Sequence, residues 1–302
     1  MYIYQYPYPI ILSVSGLDSP RYLNARLSND IRALRTDNFL LAAALTPQGK
    51  AQAFFEVIKF KDEFILFSEG GNLDFVSSAI KQYIVADRVT VSSLNDSYSA
   101  FHLACDNLSI LESSLGLSLD PRLHSYSVHK DMLILSIPKI KTFGFDFLIP
   151  KDALATISKL QEARTLSLEE YSFLRMKLGN LSYPEEINET LLFSEAEIDN
   201  SISYKKGCYI GQETLERLDS RGKLPGKILT IKFEGLQQIL PGLEVYSGAE
   251  QNLKVGTILS ASQSIEENET LCYARIKTTA TVMDCVMVSG LIGKLFARSS
   301  LR

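Results

Sequence analysis

Lys206-Gly-Cys-Tyr-Ile-Gly-Gln-Glu213 is the most unusual stretch of this 302-residue chain. Two glycines bracket a cysteine and an aromatic residue. Glycine admits positive φ and lets another group approach the backbone closely. Lys205 and Lys206 precede Cys208, and nearby cations favour a thiolate over a thiol, whose ordinary pKa is ~8.5. Gly211 opens a short helix through Thr214, Leu215 and Leu218, whose first amides favour an anion or a polar ring edge. Between Tyr204 and Lys232 stand seven cations (Lys205, Lys206, Arg217, Arg221, Lys223, Lys227, Lys232) and three anions (Glu213, Glu216, Asp219). That is a basic patch in a chain of net charge −4. On residue type alone, a cysteine after a glycine is more often a small packed hydrophobe, and loop cations are more often a solvated face.

After this stretch, from about residue 224, helical periodicity stops. Short strands follow at 228–233, 243–246, 255–261, 271–276 and 281–288, the pattern of a small all-β barrel or sandwich. Before it, the N-terminal third reads as an antiparallel α+β module. Residues 10–14 form a strand, Asp18 and Pro20 open a helix, and 40–46 and 51–60 form a hairpin around Pro47-Gln-Gly-Lys50. Asn72 caps the next helix. The middle third reads as a second such module. It has strands at 101–104, 126–128, 132–137 and 143–149, an amphipathic helix over 151–163, and a capping box Ser167-Leu-Glu-Glu170.

Composition narrows the function. Hydrophobic residues make up 46% and charged residues 22%, ordinary for a globular protein of about two domains. The longest apolar runs, 40–45 and 143–150, fall far short of the ~20 residues that span a bilayer. The N-terminus has no basic start and no long apolar run, so it is not a secretory signal. Cys105, Cys208, Cys272 and Cys285 are scattered, with no Cys-x-x-Cys, which argues against a zinc or iron–sulfur site held by this chain. The chain reads as cytoplasmic with free thiols. Cys105, Cys272 and Cys285 read as core, and His124 and His129 as exposed. Fingerprints for dinucleotide and phosphate loops and for a serine nucleophile elbow are missing. The net acidity argues against direct nucleic-acid binding.

The motif at 206–213 closely resembles the signature of the YgfZ family. These folate-binding proteins are linked to iron–sulfur cluster assembly and tRNA modification, and are relatives of the glycine cleavage T-protein, an aminomethyltransferase. Arg21-Tyr-Leu-Asn-Ala-Arg-Leu-Ser-Asn-Asp30, Leu45-Thr-Pro-Gln-Gly-Lys50, the segment 73–89, and Arg175 with Gly179 resemble further family segments in the right order. The sequence departs from the pattern at Ala25, where a glycine is usual, and at Asn180-Leu181, where a proline is common. It also lacks the Asn-Ala-Ser-like stretch near 66–74, which argues against a classical aminomethyltransferase.

The resemblance implies an α+β fold. Residues 1–223 would hold two interleaved, ferredoxin-like modules around a central opening, roughly 1–45 with 100–223, and 46–99. Residues 224–302 would form a C-terminal β-barrel. It implies tetrahydrofolate or a derivative as ligand, iron–sulfur carrier or client proteins as partners, and no membrane. Cys208 becomes the candidate reactive residue. Lys206, Gly207, Tyr209, Gly211, Gln212, Glu213, Arg217, Arg221, Asn29, Arg175 and Glu186 become candidate folate contacts, with Arg217, Arg221 or Lys223 expected to meet the glutamate tail. One thiol cannot hold a cluster alone, so any cluster contact needs a partner's ligands. Two other readings stand beside this one. A folate-dependent one-carbon transferase needs a carboxylate near the reacting nitrogens, with Asp30 and Asp74 as the nearest guesses. The other is a binding module without catalysis.

Overall fold

Strands rich in Val, Ile, Phe and Leu build two antiparallel-type sheets that meet face to face. The computed structural model describes residues 1–160, 162–247, 253–279 and 284–298. One sheet has five antiparallel strands in the order Phe39–Leu45, Ala51–Phe60, Glu63–Ser68, Ile10–Ser15, Thr90–Ser93. The other has six, in the order Arg164–Thr165, Tyr2–Gln5, Tyr98–Cys105, Phe143–Pro150, Met132–Ser136, Tyr126–His129. Only its edge pair, Tyr2–Gln5 with Arg164–Thr165, is parallel.

Period-2 alternation gives each sheet two buried faces. Between the sheets, Tyr4, Tyr6, Leu133, Leu135 and Leu148 from the six-stranded sheet pack on Ile11, Phe39, Ile58, Ile65 and Phe67 from the five-stranded one. On the outer face of the five-stranded sheet, Leu12, Val14, Phe55, Val57 and Leu66 are covered by helices Ser19–Arg26 and Leu73–Lys81. The outer face of the six-stranded sheet is covered by helix Leu108–Leu115. The two modules are therefore helix-on-sheet layers placed back to back. A closed six-stranded barrel follows, in the order Gly226–Glu234, Glu269–Lys277, Lys254–Ser264, Glu244–Ser247, Cys285–Val288, Leu291–Ala297.

The α+β class, the paired modules and the C-terminal barrel are as expected. The division between the modules is not. Residues 10–45 belong with 46–93 in one sheet, and only the first strand, Tyr2–Gln5, crosses to pair with Tyr98–Cys105. Continuous hairpin pairing from Phe39 through Ser68 keeps that sheet local. The helix expected over 151–163 is a 3-10 segment, Lys151–Lys159, reached directly from a strand ending at Pro150, a residue with no amide proton to donate. Asp18 makes no side-chain cap. Its carboxylate accepts instead from the Arg88 amide at 2.8 Å. Asn72 does cap, accepting from Phe75 N at 2.9 Å, and Ser167 and Glu170 form the expected capping box. The expected strand 281–288 begins outside the described residues, and its described part is Cys285–Val288.

Candidate functional site

The two modules and the barrel enclose a central cavity of about 600 Å³. A cross-strand row of the five-stranded sheet, Leu41, Glu56 and Phe67, lines it, and Phe54 stands two residues from Glu56 on the same face. Lys139 enters from the six-stranded sheet's loop, Leu181 and Tyr183 from the loop after helix Leu168–Lys177, and Ile198 and Asn200 from the next loop. The barrel closes it with Ile228, Leu229 and Arg298.

Apolar and polar residues share this wall about equally, and one side carries a buried ionic cluster. Lys139 Nζ lies 2.8 Å from Glu56 Oε1 and 2.8 Å from Glu69 Oε1, and also bonds Asp146 Oδ2. Asp146 Oδ1 accepts from Tyr6 Oη at 2.9 Å and faces His102 Nδ1 at 2.7 Å. Tyr171 Oη is 3.2 Å from Tyr6 Oη. Burial pushes the Glu56 carboxyl well above the usual range, Asp146 and Glu69 push it the same way, and Lys139 opposes them. Burial would also raise Asp146, but Lys139 and His102 hold it well below its ordinary value. Burial would lower Lys139, yet Asp146, Glu56 and Glu69 together raise it well above its ordinary value. Glu56 Oε2 is buried without a hydrogen-bond partner.

Arg175 and Glu186 support the cavity from behind. Arg175 Nη1 and Nη2 each lie 2.8 Å from the Glu186 carboxylate, a bidentate pair that is almost wholly buried. Arg175 also donates to Asn180 O at 3.1 Å, and Glu186 accepts from Ser182 N at 2.8 Å and from the barrel's Ser260 hydroxyl. The pair thus fixes the loop whose Asn180, Leu181 and Tyr183 face the cavity. Asn29 acts similarly, donating to Leu41 O at 2.9 Å and Asn200 O at 2.6 Å.

The motif at 206–213 lies elsewhere, against the C-terminal end of helix Ser19–Arg26. Lys206 is buried and donates to Asn24 O at 2.6 Å, Asn29 O at 2.7 Å and Leu27 O. Its Nζ sits 4.5 Å from the centre of the Tyr209 ring. Gln212 Oε1 accepts from Tyr209 N at 3.1 Å, closing the turn over Ile210 and Gly211. Gly211 has φ +85°, and a Cβ there would stand 2.7 Å from Thr46 O, so this turn rests directly on the hairpin turn at 46–50. Gly207 has open space around it, and Cys208 is exposed.

Of the predicted site residues, the structure brings none to the cavity wall itself. Lys206, Tyr209 and Gly211 are buried in a turn away from the cavity, on which Gly207 and Cys208 are exposed and Gln212 is half-buried. Glu213 and Arg217 pair with each other on the surface, and the Arg221 side chain lies outside the described residues. Arg217 and Lys223, expected to meet a ligand's glutamate tail, do not line the cavity. Helix Gln212–Arg221 packs on the hairpin turn through Thr214 and Leu215, away from the cavity, whose cations are Lys139, Lys227 and Arg298. Asp30 caps a 3-10 turn and pairs with Arg32, and Asp74 sits in a helix first turn, so neither reaches the cavity. Cys105 and Cys272 are buried, while Cys285 is half-buried. His124, expected to be exposed, is half-buried at the cavity with its ring 5.2 Å from Phe39.

Sequence reasoning missed Glu56, Lys139 and Asp146. A signal existed for two of them: each is the lone acid inside an apolar strand, Phe54-Phe55-Glu56-Val57-Ile58 and Phe145-Asp146-Phe147. Among the described residues no group of three His, Cys, Asp or Glu side chains is placed to hold a metal ion.

No protein-family model matches the chain. An uncharacterized protein of Haemophilus influenzae is 26% identical over 255 residues, covering 83% of this chain and 81% of that protein. The tRNA-modifying protein YgfZ of Aliivibrio fischeri is 25% identical over 285 residues, covering 87% and 81%. That of Pectobacterium carotovorum is 23% identical over 284 residues, covering 92% and 84%. Among solved structures, the glycine cleavage system aminomethyltransferase T from Bartonella henselae superposes with a TM-score of 0.83 at 15% identity, covering 99% of this chain and 85% of that one. This likeness is one of fold.

Proposed function

We propose that this chain acts as a YgfZ-family protein, which binds tetrahydrofolate or a derivative in its central cavity and supports the iron–sulfur enzymes that modify tRNA. Its curated relatives carry the name tRNA-modifying protein. The observation that carries the reading is the cavity itself. Its volume of about 600 Å³ suits a folate-sized ligand. Phe54, Phe67, Leu181 and Tyr183 offer apolar walls for a flat ring, and the buried Glu56 Oε2 has no protein partner. On the barrel side Lys227 pairs with Glu197 at 3.2 Å and Arg298 donates to the Ala196 and Glu197 carbonyls, so an anionic tail there competes with these contacts.

Cys208 has a separate part in this reading. Its thiol stands on an exposed turn and serves an iron–sulfur carrier or client protein, whose own ligands complete any cluster contact. Two measurements test the proposal. Calorimetric titration of the full chain with tetrahydrofolate and its polyglutamates should show saturable binding, and none at all would remove the ligand. Cys208→Ala at normal expression should lower iron–sulfur enzyme activity in cells, and unchanged activity would remove the thiol.

A one-carbon transferase remains the second reading, because such an enzyme needs a carboxyl near the reacting nitrogens and Glu56 is a carboxyl that lines the cavity. Turnover of methylene- or formyl-tetrahydrofolate by the purified protein would favour it.

A further inference from the structure

Two carboxyls of the cavity wall, Glu56 and Glu69, share a single ammonium with Asp146, which is fully buried behind them. Lys139 donates to Glu56 Oε1 at 2.8 Å, to Asp146 Oδ2 and to Tyr6 Oη at 3.2 Å, and its Nζ lies 2.8 Å from Glu69 Oε1. Carboxylates crowded together in a buried site retain a proton among them. The hydrogen bonds say where it goes. Glu69 Oε1 lies 2.8 Å from the Lys139 ammonium, and its Oε2 accepts from the Ser182 hydroxyl at 2.9 Å. Asp146 is satisfied at both, by Lys139 on one side and by Tyr6 and His102 on the other. Glu56 accepts from Lys139 at Oε1 only, and its Oε2 is the one carboxyl oxygen of the three with neither a hydrogen-bond donor nor an ammonium contact.

We propose that Glu56 lines the cavity as a neutral carboxylic acid whose Oε2–H donates to an acceptor atom of the ligand, a carbonyl oxygen or an unprotonated ring nitrogen of a flat heterocycle. The ligand half of this inference rests on the reading of the cavity given above. The groups around Glu56 are Lys139, Asp146, Glu69 and Tyr6, with His102 and Tyr171 behind Asp146. Burial and the two neighbouring carboxylates act together to keep its proton. An acid donor differs in consequence from an ionised carboxylate gripping an amidine-like edge. Its binding weakens as pH rises and it tolerates replacement by an amide.

Infrared spectroscopy of the full chain near neutral pH should show the carbonyl stretch of a protonated carboxyl that is lost in Glu56→Gln and kept in Glu69→Gln. No such band, or one lost in Glu69→Gln instead, overturns the inference. Calorimetry with tetrahydrofolate supplies the second arm. Glu56→Gln keeps a donor and an acceptor for Lys139, so it should bind within about threefold of wild type, while Glu56→Leu should lose about ten- to a hundredfold. A loss in Glu56→Gln as large as in Glu56→Leu overturns the donor role. If wild type binds no tetrahydrofolate, the folate reading falls alone, and the infrared result still decides the state of Glu56.

Discussion

Lys139 is the single ammonium among Glu56, Glu69 and Asp146, so its removal measures what the cluster needs. Lys139→Met keeps the chain length and leaves buried carboxyls without a counter-charge, which costs about 3–5 kcal/mol near pH 7. The sign of the pH dependence follows from the carboxyls. Stripped of Lys139, the fully buried Glu56 and Asp146 titrate above the unfolded values of about 4, so the native state binds more protons than the unfolded one and the variant gains stability as pH falls from about 7 toward 5. In wild type the raised Glu56 contributes such a slope, whereas Asp146, held low, contributes stability that is present above its unfolded value and lost only as pH falls further. The gap between variant and wild type should therefore narrow on acidification. Urea unfolding followed by circular dichroism at both pH values reads it, and a constant gap would mean that Lys139 is not the counter-charge of these groups. Glu56 and Asp146 were visible in the sequence as isolated acids in apolar strands. Their meeting was not, because it depends on two sheets packing face to face, and single-strand periodicity says which face a residue takes but not which sheet that face will meet.

Two turns more than 150 residues apart in sequence make one structural element. The Pro47-Gln-Gly-Lys50 turn receives Gly211, and Thr214 Oγ1 donates to Pro47 O at 3.2 Å while Ile210 N donates to Ala25 O at 3.2 Å. The glycines of the motif at 206–213 are unequal in this. Gly211→Ala must hold φ +85° and push a Cβ onto Thr46 O, so it should cost about 2–4 kcal/mol. Gly207 meets nothing within 4 Å, so Gly207→Ala should stay within about 0.5 kcal/mol of wild type. Thermal unfolding of the two variants separates them, and equal losses would contradict the docking of the turn. If Gly207→Ala is as stable as wild type but fails in cells, the space beside Cys208 is used by a partner. The motif was legible as special from its two glycines and its cysteine. Its location was not, because the feature that suggested a cation beside the thiol, Lys206, spends its ammonium on three backbone carbonyls of the neighbouring helix end and loop.

The molecule as a whole holds its cavity through the seam between the modules and the barrel. Arg275 of the barrel pairs with Glu195 at 2.6 Å, and Tyr273 Oη donates to the Met176 and Asn180 carbonyls at 3.2 Å. The seam centres on Arg175 and Glu186, with the barrel's Ser260 closing the group. The barrel and the Arg-x-x-x-Gly helix end were both readable, one from short strands without helical periodicity and the other from the resemblance. What Arg175 does was not, since its partner Glu186 lies beyond a turn and both are buried under a barrel that begins 40 residues later. Burial would lower Arg175, but Glu186 raises it far above its ordinary value, so it stays charged at any accessible pH and cannot neutralise itself when the partner is lost. Arg175→Met therefore strands a buried carboxylate and should cost about 3–5 kcal/mol, whereas Arg175→Met with Glu186→Leu removes both charges and should recover most of it. Because Asn180, Leu181 and Tyr183 hang from this pair and face the cavity, the single variant should also weaken tetrahydrofolate binding, and by more than the double variant does. The chain has no tryptophan, so unfolding is best followed by circular dichroism. A double variant no more stable than Arg175→Met would show that the seam depends on the shape of the ion pair and its hydrogen bonds, and not on the balance of its charges.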